Sequence, residues 1–352
     1  MTVFILVVIL LLVIFLQRFT LKKSLESFEE DYGVSPGTAE PGQEIDFILT
    51  FRNKTRRFVP YFRYHTMLPE GFALADGSAS MPDELKWNHR ETVHGTSWLA
   101  PRQKYERRVR IVAPGRGRYP FKELSVYGGD FLGLRETFRG VAKVRELVVY
   151  PKEADMPTLD DVMGGFLGDL SVRRFIYEDP VLTLGYRDYT GREPMKTISW
   201  IQSARRGALT VKNYDHTTEP SVSVILDVSG GDNELSERCF EIARAVCARL
   251  EKQGAKYDFS MNAAMAGSMR VDCRIPEGMG SRHFYGIMEC LGRATYDVLF
   301  PVKKLVEERV RYASAHGVIL IVPRKDAGAE AAAAAAQRSG CSVLTLAAKE
   351  MM

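Results

Sequence analysis

The sequence has little cysteine, little histidine and almost no excess of either charge. Its five cysteines are an odd number and form no Cys-x-x-Cys pair, which argues against a disulfide framework and fits a reducing compartment. The six histidines form no His-Glu-x-x-His motif, so no structural metal site is indicated. The 48 Lys and Arg residues against 44 Asp and Glu leave a net charge of +4, which is too small to predict a nucleic-acid partner.

Motifs for nucleophilic and phosphate chemistry are also missing. Ser229 lies in Asp-Val-Ser-Gly-Gly rather than in a Gly-x-Ser-x-Gly elbow, and no histidine stands in an evident partner position. No Walker A sequence occurs, and Gly164, Gly165 and Gly168 do not form a phosphate fingerprint in the right strand–helix context. We therefore expect no enzymatic activity and no organic cofactor. A hydrolase is the remotest alternative, since it would need a Ser or Asp beside a His in one cleft.

One long apolar run stands at the N-terminus. Every residue from Val3 to Leu16 is apolar, no basic residue precedes the run and no small-residue cleavage site follows it, unlike a signal peptide. A buried helix would need a polar face, so we predict a transmembrane anchor over residues 1–20, although a span usually takes about 20 residues. Basic residues follow from Arg18 onward, which predicts a single-pass protein of the cell membrane with its bulk in the cytoplasm. The opposite orientation is the weaker alternative.

A charged connector over residues 21–31 leads to a region of β-structure over residues 32–152. Apolar and polar residues alternate around Phe47 and around Val109, and Pro-Gly pairs punctuate the segments, as in the short strands of an immunoglobulin-like β-sandwich. A basic cluster in this region is interpreted as a solvated strand face rather than a nucleic-acid or lipid surface. Its members are Arg102, Lys104, Arg107, Arg108, Arg110, Arg116 and Arg118.

From residue 220 onward, strands and helices alternate. The stretches 222–226 and 318–322 are continuous apolar runs typical of strands buried on both faces, and apolar residues at helical spacing follow Leu235. This order predicts a doubly wound parallel sheet over residues 220–352. In the connecting region over residues 153–219, Pro194 and the apolar residues after it predict a short helix that ends at Arg205-Arg206-Gly207.

The carboxyl edge of the predicted sheet offers a candidate metal site. Asp227 and Ser229 follow the first strand, and Asp232 or Asp326 could supply a further carboxylate. Acidic and hydroxyl groups at alternate positions are typical ligands of a hard cation such as Mg²⁺. Gly231, however, stands where a second hydroxyl is needed. Two cationic residues, Arg324 and Lys325, precede Asp326, so a structural edge loop is the favoured interpretation.

Three stretches resemble the bacterial domain-of-unknown-function 58 family. Arg116-Gly117-Arg118-Tyr119 with residues 130–134 is similar to its "RGrY … DPFGLF" signature, with Phe131 in place of the usual Pro. Arg187-x-Tyr189-x-x-Gly191 through Ile198-x-Trp200-x-x-Ser203-Ala204-Arg205 resembles its central signature. Asp227-Val228-Ser229 resembles the start of its D-x-S-x-S loop. The resemblance implies a von Willebrand factor A-like domain behind a membrane region. It also implies an interaction module that works with MoxR-type AAA+ ATPases.

This chain departs from the family pattern at three positions. Arg192 replaces an Asp, Ser199 replaces the Asp before the tryptophan, and Gly231 replaces the last Ser of the loop. Each change removes an acidic or hydroxyl group, which argues against the cation-dependent binding that A-like domains imply. Family members often have two N-terminal spans, whereas this chain has one apolar run.

The central signature supplies the candidate partner-binding residues Arg187, Tyr189, Trp200 and Arg205. The favoured interpretation is that Trp200 packs in the core and that Arg187 and Arg205 pair with acidic neighbours, the candidates being Asp188, Asp215 and Glu219. The expected function is a membrane-anchored, non-enzymatic scaffold that acts with an AAA+ ATPase. The alternative is a divalent-metal-dependent A-domain that binds a protein or ligand. The net charge is assigned to the sandwich strand face and to the cations beside the anchor.

Overall fold

The computed structural model describes residues 2–24, 28–75, 90–129, 135–153, 156–174, 183–191, 193–214, 221–267, 273–312 and 317–351. Over these residues the chain is a mixed, sheet-rich protein with seven α-helices. It divides into two compact units, which are Met1–Lys152 with Leu291–Arg293 and Glu153–Cys290 with Ala294–Met352.

The first unit contains one helix, α1 (Thr2–Ser24), and strands in three sheets. Its strands are β1 (Phe28–Ser35), β2 (Thr38–Ala39), β3 (Glu44–Asn53), β4 (Val59–Met67), β5 (Ala73–Leu74), β6 (Thr92–Leu99), β7 (Lys104–Val112), β8 (Gly117–Phe121), β9 (Leu124–Gly129), β10 (Glu136–Val141) and β11 (Arg145–Val149). The sheet orders are β1-β3-β7-β5, β10-β9-β4-β6 and β2-β11-β8.

The two four-stranded antiparallel sheets share one aromatic core. Alternate residues of β3 point inward, so that Phe47 and Phe51 are buried while their neighbours along the strand are more exposed. Phe62 and Tyr64 do the same on β4 of the other sheet. The rings of Phe51 and Phe62 lie 5.1 Å apart, which joins the two inner faces into a sandwich.

The N-terminal apolar run forms α1, but in the described part of the chain no helix is long and apolar enough to cross a membrane. The predicted transmembrane anchor, the transmembrane part of the fold class and the single-pass membrane localisation are therefore wrong. The physical reason is length. At about 1.5 Å per residue the run from Val3 to Leu16 extends roughly 21 Å, whereas the hydrocarbon core of a bilayer is about 30 Å thick. The rest of α1 includes the charged residues Arg18, Lys22 and Lys23.

The second unit contains the remaining six helices and nine strands of the described residues. The helices are α2 (Pro157–Arg174), α3 (Trp200–Arg206), α4 (Asn233–Lys252), α5 (Ser281–Arg293), α6 (Val302–Tyr312) and α7 (Ala327–Arg338). The strands are β12 (Thr183–Asp188), β13 (Thr210–Tyr214), β14 (Ser221–Leu226), β15 (Lys256–Met261), β16 (Ala263–Met265), β17 (Cys273–Gly278), β18 (Ala294–Val298), β19 (Gly317–Val322) and β20 (Ser342–Ala347).

The central sheet of the second unit has the order β17-β15-β14-β19-β20. Strands β15, β14, β19 and β20 are parallel, and every residue of β14 and β19 is buried, as continuous apolar strands require. Strand β17 runs antiparallel to β15, so the predicted all-parallel sheet is wrong at this edge. Only residues 262–272 separate β15 from β17 along the chain, which is fewer than the dozen or more residues that the crossover of a parallel pairing needs.

Helices cover both faces of this sheet. On one face, Tyr257 of β15 contacts His283 of α5 and donates a hydrogen bond to Glu251 of α4. On the other face, α6 and α7 form a common core with β14 and β19, and Arg309 of α6 pairs with Asp258 of β15. The carboxyl ends of the parallel strands therefore open at an edge bounded by helix N-termini.

The central signature residues fold as a small hairpin. Strands β12 and β13 pair in antiparallel fashion, and between them lie a single 3₁₀ turn (Met195–Thr197) and the short helix α3. Gly207 ends α3 in the left-handed conformation, with φ of 68°, so the predicted end of this helix is confirmed. The residues of the central signature therefore lie together in this one hairpin.

Candidate functional site

Two regions carry the residues that the sequence predicts to be functional. The first is the carboxyl edge of the central sheet, and the second is the hairpin of β12, α3 and β13.

Asn262, the residue after β15, is the centre of the sheet edge. Its side-chain nitrogen Nδ2 donates to Asp227 Oδ1 at 2.6 Å, to Ser229 Oγ at 3.0 Å and to the Phe300 carbonyl at 3.2 Å. Its Oδ1 accepts the backbone N–H of Val228 at 3.0 Å, which fixes the orientation of the amide. Asn262 is fully buried, so these bonds hold one arrangement of the loop.

The arrangement has a direct consequence for metal binding. A carboxylate, a hydroxyl and a carbonyl oxygen converge on one point, and these are the ligand types of Mg²⁺ and Ca²⁺. The amide nitrogen of Asn262 occupies that point and supplies the positive hydrogens that the oxygens accept. In the described part of the chain no group of three His, Cys, Asp or Glu residues could hold a metal ion. The three oxygens at this edge of the sheet therefore have the side-chain amide of Asn262 as their hydrogen-bond donor.

Asp232 and Asp326, the other candidate carboxylates, are used as helix caps. Asp232 accepts the Leu235 N–H at 2.9 Å at the start of α4, and Asp326 accepts the Ala329 N–H at 2.8 Å at the start of α7. Arg324 lies 3.7 Å from the second oxygen of Asp232. These roles account for both acidic residues without a cation.

Burial raises the pKa of Asp227 above its ordinary value. Hydrogen bonds from Ser229 and Asn262 oppose this increase, and the nearby Asp326 carboxylate adds to it. A bound cation would instead favour the ionised form.

The missing hydroxyl of the loop has a steric explanation. A Cβ atom added at Gly231 would lie 3.0 Å from Ser236 Oγ and 3.1 Å from Pro323 Cβ. The space that a serine side chain would need is therefore filled, and the loop is closed around a glycine.

A second buried polar group lies in the middle of the sheet. Ser223 Oγ donates to Asp258 Oδ2 at 2.5 Å, and Arg309 Nη2 lies 3.0 Å from Asp258 Oδ1. This pair lacks the third member of a hydrolytic triad among the described residues, because His283 contacts Tyr257 on the opposite face of β15. The cluster is a buried ion pair of the core.

The sandwich carries an open depression of about 380 Å³ on β1 and β3. The charged residues lining it include Asp31, Arg145 and Glu146. Asp31 pairs with Arg145, and Glu146 pairs with Arg118, so these charges are compensated within the unit.

In the hairpin, the four predicted partner-binding residues have different environments. Arg187 pairs with Glu193 at 2.5 Å, and Glu193 also accepts hydrogen bonds from the N–H and hydroxyl of Thr190. Desolvation raises the pKa of Glu193, but the bonds from Thr190, from its own backbone and from Arg187 outweigh it and bring the value to about 2. Glu193 therefore keeps its charge, and Arg187 stays occupied within the chain. Tyr189 is half-buried and its backbone N–H bonds to Leu209.

Trp200 is at the surface. Its side chain is 61% exposed, so the interpretation of Trp200 as a core residue is wrong. Ser203 is buried against Thr210 and so marks the inner side of α3. Trp200 is the first residue of α3 and is exposed although it lies only about 60° from Ser203 around the helix. Arg205 is exposed on the outer side.

Three other large apolar side chains of the hairpin are also exposed. Met195 is 68% exposed and Ile201 is 70% exposed, and Leu209 is also largely exposed. We call these four residues, Met195, Trp200, Ile201 and Leu209, the signature surface. The exposure of Ile201 could not be identified from the sequence, because helical spacing alone does not show which side of a seven-residue helix is covered. Met195 and Leu209 lie outside this helix, so helical spacing says nothing about them.

Some predicted features lie outside the described residues. They are the segment 130–134 of the first signature, Arg192, and the proposed acidic neighbours Asp215 and Glu219. The missed residue Asn262 is separated from Asp227 along the chain by helix α4 and strand β15. The only signal for it was its place directly after a predicted strand.

No family model matches the sequence. A curated relative from Bacillus subtilis (strain 168), "Uncharacterized protein YeaD", is 21% identical over 294 residues, which cover 81% of this chain and 67% of that protein. Solved structures with local likeness include a CARDB domain from Pyrococcus furiosus, at 11% identity and a TM-score of 0.23, which covers 36% of this chain and 96% of that one. A GH20 exo-β-N-acetylglucosaminidase from Vibrio harveyi, also at 11% identity and a TM-score of 0.23, covers 91% and 75%. Similarities this low carry no argument about function.

Proposed function

We propose that the chain is a non-enzymatic interaction protein of the domain-of-unknown-function 58 type, which binds a protein partner through its second unit. The partner we propose is a MoxR-type AAA+ ATPase, because the central signature resembles that of the family encoded beside such ATPases. The observation that carries the proposal is the exposed apolar signature surface on the same hairpin that holds the signature residues.

The signature surface has the composition of a binding site. Tryptophan and methionine are enriched in protein interfaces, and a tryptophan in an apolar surround is a frequent hot spot. Exposed apolar groups that cluster rather than scatter commonly mark an interaction site. In this hairpin four large apolar side chains are exposed between residues 195 and 209, and they include the signature residue Trp200, which contributes little to the core.

The hairpin also holds this surface in a defined shape. Ser203 Oγ donates to the Ser199 carbonyl at 2.8 Å and accepts the Thr210 N–H at 2.9 Å. The Ser199 N–H donates to the Thr210 carbonyl, and the Gly207 N–H closes the end of α3 on Ser203. These bonds tie α3 to β13, so a partner would not need to order the hairpin on binding.

Co-purification tests this proposal. The tagged full chain is expressed in its own cells and recovered, next to a Trp200→Ala/Ile201→Ser variant and a control in which Val162, an exposed apolar residue of α2, is changed to Ser. We expect the MoxR-type ATPase to co-purify with the wild-type chain and with the control variant. It should not co-purify with the double variant. Absence of the ATPase from the wild-type sample, or equal recovery with the double variant, contradicts the proposal.

The second candidate function is a divalent-metal-dependent A-domain. The observation in its favour is that oxygens of Asp227, Ser229 and Phe300 converge on one point. For this function a cation would have to displace the amide of Asn262. Calorimetry with Mg²⁺ and Mn²⁺ tests it: a heat of binding that disappears on Asp227→Ala would favour this function over the first, and no heat would remove it.

A further inference from the structure

The hairpin carries a local excess of positive charge. Residues 183–214 contain six Lys and Arg residues against two Asp and Glu residues, so the local excess is +4. A local excess of this kind produces a positive potential over the surface that carries it.

The described cations of the hairpin differ in their availability. Arg187 is neutralised by Glu193. Lys196, Arg205 and Arg206 are exposed. Asp188, at the end of β12, is the exposed carboxylate of the described hairpin residues. The available cations therefore outnumber the available anions beside the signature surface.

Apolar and cationic groups share the outer side of α3. Ser203 marks the inner side, because it is buried against Thr210. At about 100° per residue, Ile201 and Arg205 both lie roughly 160° from Ser203 and are four positions apart, so they are neighbours on the outer side. Met195 and Lys196 are likewise adjacent and exposed in the preceding turn. Lys196 and Arg205 are thus each next to an apolar residue.

We infer that the signature surface binds an acidic segment of a protein partner in which apolar side chains alternate or cluster with Asp and Glu. The apolar side chains bury Ile201, Met195 and Trp200, and the carboxylates face Lys196, Arg205 and Arg206. This inference rests on the proposed function and adds the chemistry of the partner. It gives the binding an electrostatic component that should weaken with salt.

A nucleic acid is the other common anionic partner, but this surface fits it less well. Single-stranded nucleic acids stack their bases on aromatic side chains, with successive aromatic residues along a basic groove. Here Met195, Ile201 and Leu209 are aliphatic, and aliphatic side chains pack against apolar protein groups rather than stack on bases. Nucleic-acid binding is therefore an alternative outcome of the test.

The probe is a random dodecapeptide library displayed on phage and selected on the immobilised full chain. Selection runs in parallel on Ile201→Ser and on Arg205→Glu/Arg206→Glu variants. Two controls change exposed residues elsewhere in the same unit, Met279→Ser and Arg282→Glu. The most enriched peptide is then synthesised with a fluorescein label and titrated by anisotropy at low and moderate NaCl, with a uridine dodecamer as competitor.

We expect peptides enriched in Asp and Glu together with apolar residues. Their affinity should fall about tenfold or more in each signature-surface variant and change less than about twofold in each control. Raising NaCl from about 50 to 300 mM should weaken binding several-fold, because the charges involved are exposed. The uridine dodecamer should not displace the peptide.

The outcomes separate the inference from the proposed function. One outcome is that the selected peptides depend on Ile201 but carry no acidic excess, or bind the Arg205→Glu/Arg206→Glu variant equally well. This outcome overturns the inference of an acidic partner but still supports a binding site at the signature surface. Displacement by the uridine dodecamer assigns the surface to nucleic acid. Failure to select any peptide that depends on Ile201 contradicts both the inference and the function from which it starts.

Discussion

Asn262 determines whether the sheet edge can hold a cation. Its amide donates to Asp227, Ser229 and Phe300, and the same three oxygens would otherwise surround an ion. Replacing the amide by a carboxylate keeps the acceptor for the Val228 N–H and removes the donors, so the oxygens are left to bind a metal.

We therefore predict that Asn262→Asp creates a divalent-cation site. Isothermal titration calorimetry with MnCl₂ should show one-site binding with a Kd of about 1 mM or lower for the variant and no specific heat for the wild type. The double variant Asn262→Asp/Asp227→Asn is the control and should not bind. Binding of equal strength by the wild type would mean that a cation displaces the amide, contrary to this interpretation of the edge.

Asp227 gives a prediction about pH. Burial raises its folded-state pKa above the ordinary value of 3.8, so the folded protein holds its proton at pH values where the unfolded chain has lost it. Stability is then unaffected below the ordinary pKa and falls as pH rises from it through the raised folded pKa. Asp258, whose pKa burial also raises, contributes with the same sign.

The substitution Asp227→Asn should remove the part of this loss of stability that Asp227 causes. We expect the variant to be about as stable as the wild type near pH 4 and more stable by about 1 kcal/mol at pH 7. Urea denaturation followed by circular dichroism at 222 nm measures this, with Asp161→Asn, an exposed carboxylate of α2, as the control. A variant that loses stability at pH 7 would show that the carboxylate is needed in its charged form.

The sequence identified some of these residues and missed others for physical reasons. Asp227 and Ser229 follow a continuous apolar strand, which places them at the sheet edge from local pattern alone. Asn262 joins them only after β15 is paired beside β14, and sequence spacing does not give that pairing. Trp200 is exposed although it lies only about 60° around α3 from the buried Ser203, so its position on the helix does not reveal its exposure.

Helices and strands also differ in whether their own sequence specifies them or whether they depend on a neighbouring element. Strands β14 and β19 and helix α4 were predictable, since long apolar runs and an unbroken helical period specify them. The antiparallel strand β17 has no such signal and depends on its partner β15. Helix α1 is predictable as a helix, but the transmembrane prediction gave its apolar composition more weight than its short apolar length, which falls below the ~30 Å that a span requires.

The link between α3 and β13 can be tested at Ser203. Ser203→Ala removes the acceptor of the buried Thr210 N–H, and an unsatisfied buried donor costs about 1–3 kcal/mol. Hydrogen exchange at Thr210 and Val211 should therefore become faster by roughly tenfold or more. Gln202→Ala, one residue away on the same helix, is the matched control. Unchanged exchange in Ser203→Ala would mean that the helix is not held by this bond.

Across the whole molecule, both the sandwich and the hairpin carry local excesses of positive charge. The basic cluster of β7 is partly compensated, since Glu106 is shared between Lys104 and Arg108 and Glu44 pairs with Arg110. This agrees with a solvated strand face. Residues 102–118 alone hold seven Lys and Arg residues against one Glu, so the net charge of +4 does not belong to the hairpin alone. The hairpin combines its local excess with exposed apolar groups.

The proposal that the signature surface binds a protein is tested most directly by photo-crosslinking in living cells. A photoreactive phenylalanine analogue is introduced at Ile201 and, as a matched control, at Val162, an exposed apolar position of α2 in the same unit. We predict one discrete adduct at position 201, absent at position 162 and weakened when Arg205 and Arg206 are changed to Glu. No adduct at position 201, or the same adducts at both positions, would contradict the proposal.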